Sequence, residues 1–369
     1  MKVAHVVDCL EVGGAETLVS QMCRLQREQG HDPTIYALGA LGALGKLMRD
    51  EGFAVKANLG RHLPGGLRIF SRIFKELRPD VVHLHNATPA SYAAMPARLA
   101  GVRSIVSTRH GLVAQPRKLI RELKYAAAAE FCDWIVGVCD ATANNLKEAH
   151  RRQARKIVRV YNGTIPMRQI ALEQRPPKSG FTLIYVGRLA PVKNLGLLLL
   201  AFCTALSSKS DLRLWMVGDG SERKMLESLA MELGIAAKVT FWGQQLDVAP
   251  FFSAADCFIM SSKSEGLPIS LLQAFSLGLP AIVTNVGGMA EVVLLAKAGL
   301  AVSAHDALEM AAAILRLAGN DAERERFAMN AEAEFQSSFT LQTMADAYMA
   351  LYQDTPRAQH SANGSSHST

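Results

Sequence analysis

Short apolar runs alternate with helix-period segments along most of the chain. Val3–Val7, Thr34–Leu38, Val81–Leu84, Ser104–Thr108, Trp134–Val138 and Ile157–Val160 predict strands in the first half. Leu183–Val186, Arg213–Val217, Val239–Phe241, Cys257–Met260 and Ala281–Thr284 predict strands in the second. Helical patterns such as Glu16–Gln29, Met225–Glu232 and Ile269–Leu277 lie between them. This alternation predicts βαβ units and parallel sheets, an α/β fold. The strands are nearly continuous apolar runs, as expected where helices cover both faces of a sheet. Eleven strands exceed one doubly wound sheet of ordinary size, so two similar sheets are expected. Asn162-Gly163, Pro166 and Pro176-Pro177 are chain breakers and place the boundary between Tyr161 and Gly180. We expect domains at 1–165 and 166–340, with a flexible tail over 354–369.

Composition supports that picture. Of 369 residues, 49% are apolar and 20% charged, which excludes wholesale disorder. Cys9, Cys23, Cys132, Cys139, Cys203 and Cys257 form no C-x-x-C pair and show no zinc-ligand spacing. That predicts a reduced, cytoplasmic protein without disulfides or a structural metal. No apolar run reaches about 18 residues, so no spanning helix is expected. Charge is uneven: residues 1–160 hold 24 Lys+Arg against 14 Asp+Glu, and residues 161–369 hold 16 against 19. A basic half points to an anionic partner.

Four segments carry candidate chemistry. Glu11-Val12-Gly13-Gly14-Ala15-Glu16 follows the opening strand, where paired glycines and a helix N-terminus suit an anion. It lacks the full G-x-G-x-x-G fingerprint, and a plain strand-to-helix turn reads the same way. Ser107-Thr108-Arg109-His110-Gly111 puts His110 at the carboxyl end of a strand, where open α/β sheets bind ligands. His83 and His85 are expected to sit similarly after another strand. Tyr185-Val186-Gly187-Arg188-Leu189-Ala190-Pro191-Val192-Lys193-Asn194 presents Arg188 and Lys193 on a strand-to-helix loop, either as diphosphate ligands or as solvated cations. The fourth runs from Ser264-Glu265-Gly266-Leu267-Pro268 through Gln273 to Gly278 and Pro280. Pro268 suits the first turn of a buried helix, and Gly278 suits its stop. Gly266 and Leu267 would then offer N–H groups to an anion. Glu265 makes sense there if it accepts hydrogen bonds from hydroxyls, as a sugar supplies.

Together these motifs resemble the family 4 glycosyltransferases over roughly residues 1–353. The order carries the resemblance: G-G-x-E, the post-strand His110, Asn162-Gly163, G-R-L-x-x-x-K-N, V-G-D-G at 217–220, then the run from Ala255 to Val292. It implies the GT-B fold, two Rossmann-like doubly wound parallel-sheet domains facing a cleft, with a last helix at 341–353 crossing back to the first domain. By that resemblance Arg188 and Lys193 grip the donor diphosphate and Glu265 contacts the donor sugar. Gly13 and Gly14 close over the diphosphate, His110 lies beside the transferred sugar, and the segment after Gly243 borders the base. The second Glu of the family's E-x7-E motif is here Gln273, which accepts a hydrogen bond without charge assistance.

The resemblance implies a retaining hexosyltransferase acting on a nucleotide-diphosphate sugar, with a UDP-sugar favoured over a GDP-sugar. The acceptor is expected to be a glycan or lipid-linked molecule of cell-surface polysaccharide or glycolipid assembly. No Asp-x-Asp occurs, so fixed cations rather than a carboxylate-held metal are expected to meet the charge of the departing diphosphate. No resident cofactor is expected. Front-side attack is favoured, with the diphosphate taking the acceptor proton. Competing readings are a nucleotide-sugar epimerase or glycan phosphorylase on the same architecture, or a non-catalytic nucleotide-sugar or membrane-binding subunit. Three basic clusters also occur: Arg68, Arg72 and Lys75; Arg117, Lys118, Arg121 and Lys124; and Lys147, Arg151, Arg152, Arg155, Lys156 and Arg159. The first accompanies Leu67, Phe70, Ile73, Phe74 and Leu77 at helical spacing. They suggest peripheral binding to the cytoplasmic face of an anionic membrane through residues 60–160. Without an aromatic-and-basic platform, no nucleic-acid partner is expected.

Overall fold

A computed structural model describes residues 1–11, 13–60, 65–113 and 119–354. The described residues divide into two compact units by internal contacts, one of residues up to Gly163 together with 341–354, the other of Thr164–Thr340. The tail proposed at 354–369 lies outside the described residues except for Asp354.

The first unit holds seven parallel strands: Lys2–Val7 (β1), Asp32–Ala37 (β2), Ala54–Lys56 (β3), Val81–His85 (β4), Ser104–Arg109 (β5), Trp134–Gly137 (β6) and Ile157–Arg159 (β7). Their order is β3-β2-β1-β4-β5-β6-β7. The second unit holds six: Phe181–Val186 (β8), Leu212–Val217 (β9), Val239–Gly243 (β10), Cys257–Met260 (β11), Ala281–Thr284 (β12) and Gly299–Val302 (β13). Their order is β10-β9-β8-β11-β12-β13, again all parallel. In each sheet the chain works outward from its first strand, then jumps back beside it. The jumps fall between β1 and β4, and between β8 and β11. At such switch points the helices diverge to opposite faces and leave a crevice at the carboxyl ends of the strands. With the matches to known structures given below, this is the GT-B fold.

Two strands escaped the sequence pattern. β3 has three residues in exposed-buried-exposed order at the sheet edge. β13 opens on Gly299, where a Cβ would lie 1.9 Å from the Ala281 carbonyl oxygen. That glycine is a packing requirement, although glycine lowers strand propensity. Two local expectations are corrected. His83 and His85 belong to β4 itself, because their rings are buried between sheet and helix instead of facing a loop. Pro268 has extended backbone (ψ 133°) and precedes the helix Ile269–Ser276, so it caps that helix from outside.

Helix faces follow the cores. The helix Gly65–Leu77 buries Phe70, Ile73 and Phe74 in the first unit's main cluster, with Leu77 packed against it. Burying a side chain of that size stabilises by about 1.5–3 kcal/mol. This face is therefore committed to the core, and Arg68, Arg72 and Lys75 remain exposed on the other. The helix Leu341–Gln353 buries Met344, Ala345, Tyr348 and Tyr352 and contacts β5 and the helix Gly14–Glu28. It belongs to the first unit although the chain reaches it from the second.

Candidate active site

In the second unit, three strand-to-helix turns are tied together at the carboxyl ends of β8, β11 and β12. Ser261 Oγ, just past β11, donates to the carbonyls of Lys193 and Asn194 (2.9 and 3.1 Å). Lys263 N donates to Val192 O (2.8 Å). Thr284 Oγ1 donates to Ser262 O (2.6 Å), and Gly288 N to Gly266 O (2.8 Å). Gly287 has φ +53°, and a Cβ there would lie 1.9 Å from the Glu265 carbonyl oxygen. The Gly-Gly pair after β12 is thus what lets the Glu265 turn close.

These ties bring two of the expected residues into contact. Lys193 Nζ donates to Glu265 Oε1, and Ser262 Oγ donates to the same oxygen (2.9 Å). Both side chains of the pair are 15% exposed. Lys193 is therefore a cation already paired with a carboxylate, not a free one. Arg188 lies on the same loop with its side chain exposed. Its carbonyl accepts from the buried Tyr185 hydroxyl (2.9 Å), which pins the loop to β8. Burial raises the Tyr185 pKa above the ordinary phenol range, so it remains a donor.

The neighbouring turns close in the same way. Gly218 N donates to Gly243 O (2.8 Å), and a Cβ on Gly218 (φ +136°) would lie 2.0 Å from Gly187 O. Gly243 therefore borders the turn after β9, not the ion pair itself. The Asp219 carboxyl is held below its usual range by the Gly220 N–H and by Arg223. Gly266 gives its carbonyl to Gly288, and Leu267 is buried. Gln273 is half-buried, within the helix.

The first unit builds a different constellation. Gly13 precedes and Gly14 opens the helix Gly14–Glu28, while Val12 between them and the strand is outside the described residues. His110 follows β5, with its N–H held by Asn86 Oδ1 (3.2 Å). Its ring stacks on His85 at 5.4 Å between centroids. His85 stacks on His83 at 4.1 Å and lies 5.4 Å from His5. Sequence reasoning missed this cluster, although the signal existed. His83 and His85 are two apart and so share a face of β4, and His5 lies opposite His83 in the register. Ser262 was also missed; its S-x-x-E spacing to Glu265 was the clue.

Nitrogens of His5, His83 and His85 lie within 4.8 Å of one another, a spacing that suits a metal. Each is already engaged. His5 uses Gln26 (2.9 Å) and His85 (3.1 Å), His83 uses Tyr352 and Thr108 (both 2.7 Å), and His85 uses His5 and His110 (3.2 Å). The rings also stack on one another. The donors fit a hydrogen-bonded chain better than a metal. Burial lowers the pKa of His5 and of His110 to about 4, and those of His83 and His85 well below the ordinary imidazole value. All four are neutral at neutral pH.

Comparison with known proteins agrees with this architecture. Residues 12–167 match the family model Glycosyltransferase Family 4, and residues 168–334 match Glycosyl transferases group 1. The chain belongs to the family 4 glycosyltransferases. It is 32% identical to the lipopolysaccharide core biosynthesis glycosyltransferase LpsD of Rhizobium meliloti, over 48% of this chain and 50% of that protein. The match thus spans only half the length of that relative. It is 25% identical to N-acetyl-alpha-D-glucosaminyl L-malate synthase of Bacillus anthracis, over 97% of this chain and 98% of that one. HepE of Anabaena, solved with UDP and glucose, superposes with a TM-score of 0.82 at 18% identity, covering 96% of this chain and 100% of HepE. That likeness concerns the fold.

Proposed function

We propose that the protein is a retaining glycosyltransferase that moves a hexose from a UDP-sugar to a glycan or lipid-linked acceptor in cell-surface polysaccharide or glycolipid assembly. The observation that carries this reading is the Lys193–Glu265 pair at the β8/β11 switch point, with Arg188 exposed on the same loop. Negative charge grows on the diphosphate as the glycosidic bond breaks. A pre-positioned ammonium and guanidinium oppose it without reorganising during the step. Glu265, held by Ser262, retains acceptor capacity for sugar hydroxyls. With these cations in place the step requires no resident metal or cofactor. We favour front-side attack, with the leaving diphosphate taking the acceptor proton. The names of LpsD and of the malate synthase support glycan assembly and hexosaminyl chemistry, and HepE bound to UDP supports uridine as the base. A thermal-shift panel of nucleotide sugars tests the donor. At 100 times its dissociation constant the right donor adds about 2.7 kcal/mol of stability. If UDP-sugars shift nothing while GDP-sugars do, the base is wrong.

A second reading concerns location. No described helix is long and apolar enough to cross a membrane. Arg68, Arg72 and Lys75 face solvent, and the helix Leu119–Ala129 exposes Ile120 and Leu123 beside Lys124. Arg117 and Lys118 lie outside the described residues. In the third cluster, Lys156 donates to the Glu130 and Cys132 carbonyls and Arg159 pairs with Asp140, which leaves Lys147, Arg151, Arg152 and Arg155 exposed. We infer that this basic surface binds the cytoplasmic leaflet peripherally, each near-surface cation contributing about 1 kcal/mol. Co-sedimentation with anionic vesicles should fall between about 0.1 and 0.5 M salt as screening grows. Protein left in the supernatant at every lipid composition rules the idea out.

A further inference from the structure

Four histidines of the first unit, His5, His83, His85 and His110, touch one another, and of these the family resemblance gives a role only to His110. A neutral imidazole carries one N–H and one bare nitrogen, so in a chain of neutral rings each link sets the next. Gln26 Oε1 accepts from His5 Nε2 (2.9 Å). The bare His5 Nδ1 then accepts from His85 Nε2 (3.1 Å), and the bare His85 Nδ1 accepts from His110 Nε2 (3.2 Å). His110 Nδ1 ends the series as a lone pair. It is shielded from solvent and has no partner among the described residues.

Burial raises the Tyr352 pKa well above the ordinary phenol value, so its hydroxyl stays protonated and donates to His83 Nδ1 (2.7 Å), and His83 Nε2 donates to Thr108 Oγ1 (2.7 Å). Reversing the direction would leave His110 Nδ1 as a buried N–H without an acceptor, and orphaned buried donors are rarer than under-used acceptors. Burial keeps all four rings uncharged, which holds the one-proton-per-ring pattern intact.

We propose that Gln26, His5 and His85 are positioning residues that lock His110 in its Nε2–H tautomer, making Nδ1 a dedicated hydrogen-bond acceptor for a hydroxyl of the donor sugar. The tautomer lock stands on the geometry of the first unit alone. The hydroxyl ligand rests on the sugar-transfer reading given above. An acceptor-only atom selects an O–H or N–H and disfavours a carboxylate, so hexoses and hexosamines fit this point and the carboxylate of a uronic acid does not.

Long-range proton–nitrogen spectra of the ligand-free protein, labelled at the histidine nitrogens, read the tautomer directly. His110→Gln identifies the signals. His110 should show a protonated Nε2 and a bare Nδ1. In Gln26→Met, which removes the anchoring acceptor, the two His110 signals should move towards each other as tautomers mix. The donor KM should rise about 3- to 10-fold, the loss expected for one neutral hydrogen bond, with kcat changing less. A proton on His110 Nδ1 in the unaltered protein overturns the lock, and so does an unchanged His110 in Gln26→Met. If that variant does not fold, the unaltered protein's spectrum still decides. The expected tautomer in a protein that turns over no sugar nucleotide upholds the lock and sinks the sugar ligand.

Discussion

The two switch points share a topology and differ in chemistry. Between β8 and β11 the crevice carries an ammonium paired with a carboxylate, near an exposed guanidinium. Between β1 and β4 it carries neutral imidazoles. Burial accounts for the difference. Lys193 and Glu265 sit on turns beyond the strand ends and keep some solvent, so a charged pair survives there. His5 and His83 lie within the strands at 0% exposure, where an unpaired charge is too costly. The same fold can thus present charge from its loops and polarity without charge from its strands.

This comparison breaks most sharply at the charged end. Arg188→Ala, Lys193→Ala and Glu265→Ala should each lower kcat by about a hundredfold or more, because the proposed function gives each a contact with the reacting diphosphate or sugar. Lys193 and Glu265 act as a contacting pair, so their double variant should cost far less than the product of the single effects. Strictly multiplicative losses in steady-state kinetics would mean that the two residues act independently.

At the neutral end the expected effect is on stability. The unfolded chain protonates its histidines near pH 6.5, whereas folded His5 protonates only near 4. Between those values the unfolded state binds more protons, so stability falls as pH drops from about 6.5 to 4. His5 alone would account for roughly 3 kcal/mol of that loss. Urea melts at pH 7, 6, 5 and 4 measure it. His5→Gln should flatten the curve, and an equally steep curve in that variant would place the titrating group elsewhere.

The smallest effect concerns the bond linking the last helix to the histidines. Tyr352→Phe removes the hydroxyl that meets His83 at 2.7 Å and should destabilise by about 1 kcal/mol. Glycosyl transfer by the folded variant should be nearly unchanged. A large loss of activity would show that the last helix reaches the chemistry through His83.

Most of the fold was legible because buried parallel strands write themselves as apolar runs, and eleven of those runs match strands of the structure. β3 and β13 were not, since an edge strand of three residues and a strand opened by a packing glycine carry no such run. The sequence showed Arg188, Lys193 and Glu265 as separate motifs on separate loops. That Lys193 pairs with Glu265 depends on Ser261, Ser262 and Gly287, whose tertiary contacts leave no periodic trace. The histidine series was hidden for the same reason. Its members come from three strands or their ends, and only the β1–β4 and β4–β5 registers align them.

We propose that this chain transfers a sugar with retention from a UDP-sugar. Proton NMR of the anomeric signals during donor turnover tests it most directly. UDP should appear together with a product, or slowly hydrolysed sugar, that first carries the donor's own anomeric configuration. In Glu265→Ala this signal should build up about a hundredfold more slowly or not at all. Release of the opposite anomer would contradict retention. A protein that neither turns over any nucleotide sugar nor gains thermal stability from UDP would contradict the account as a whole.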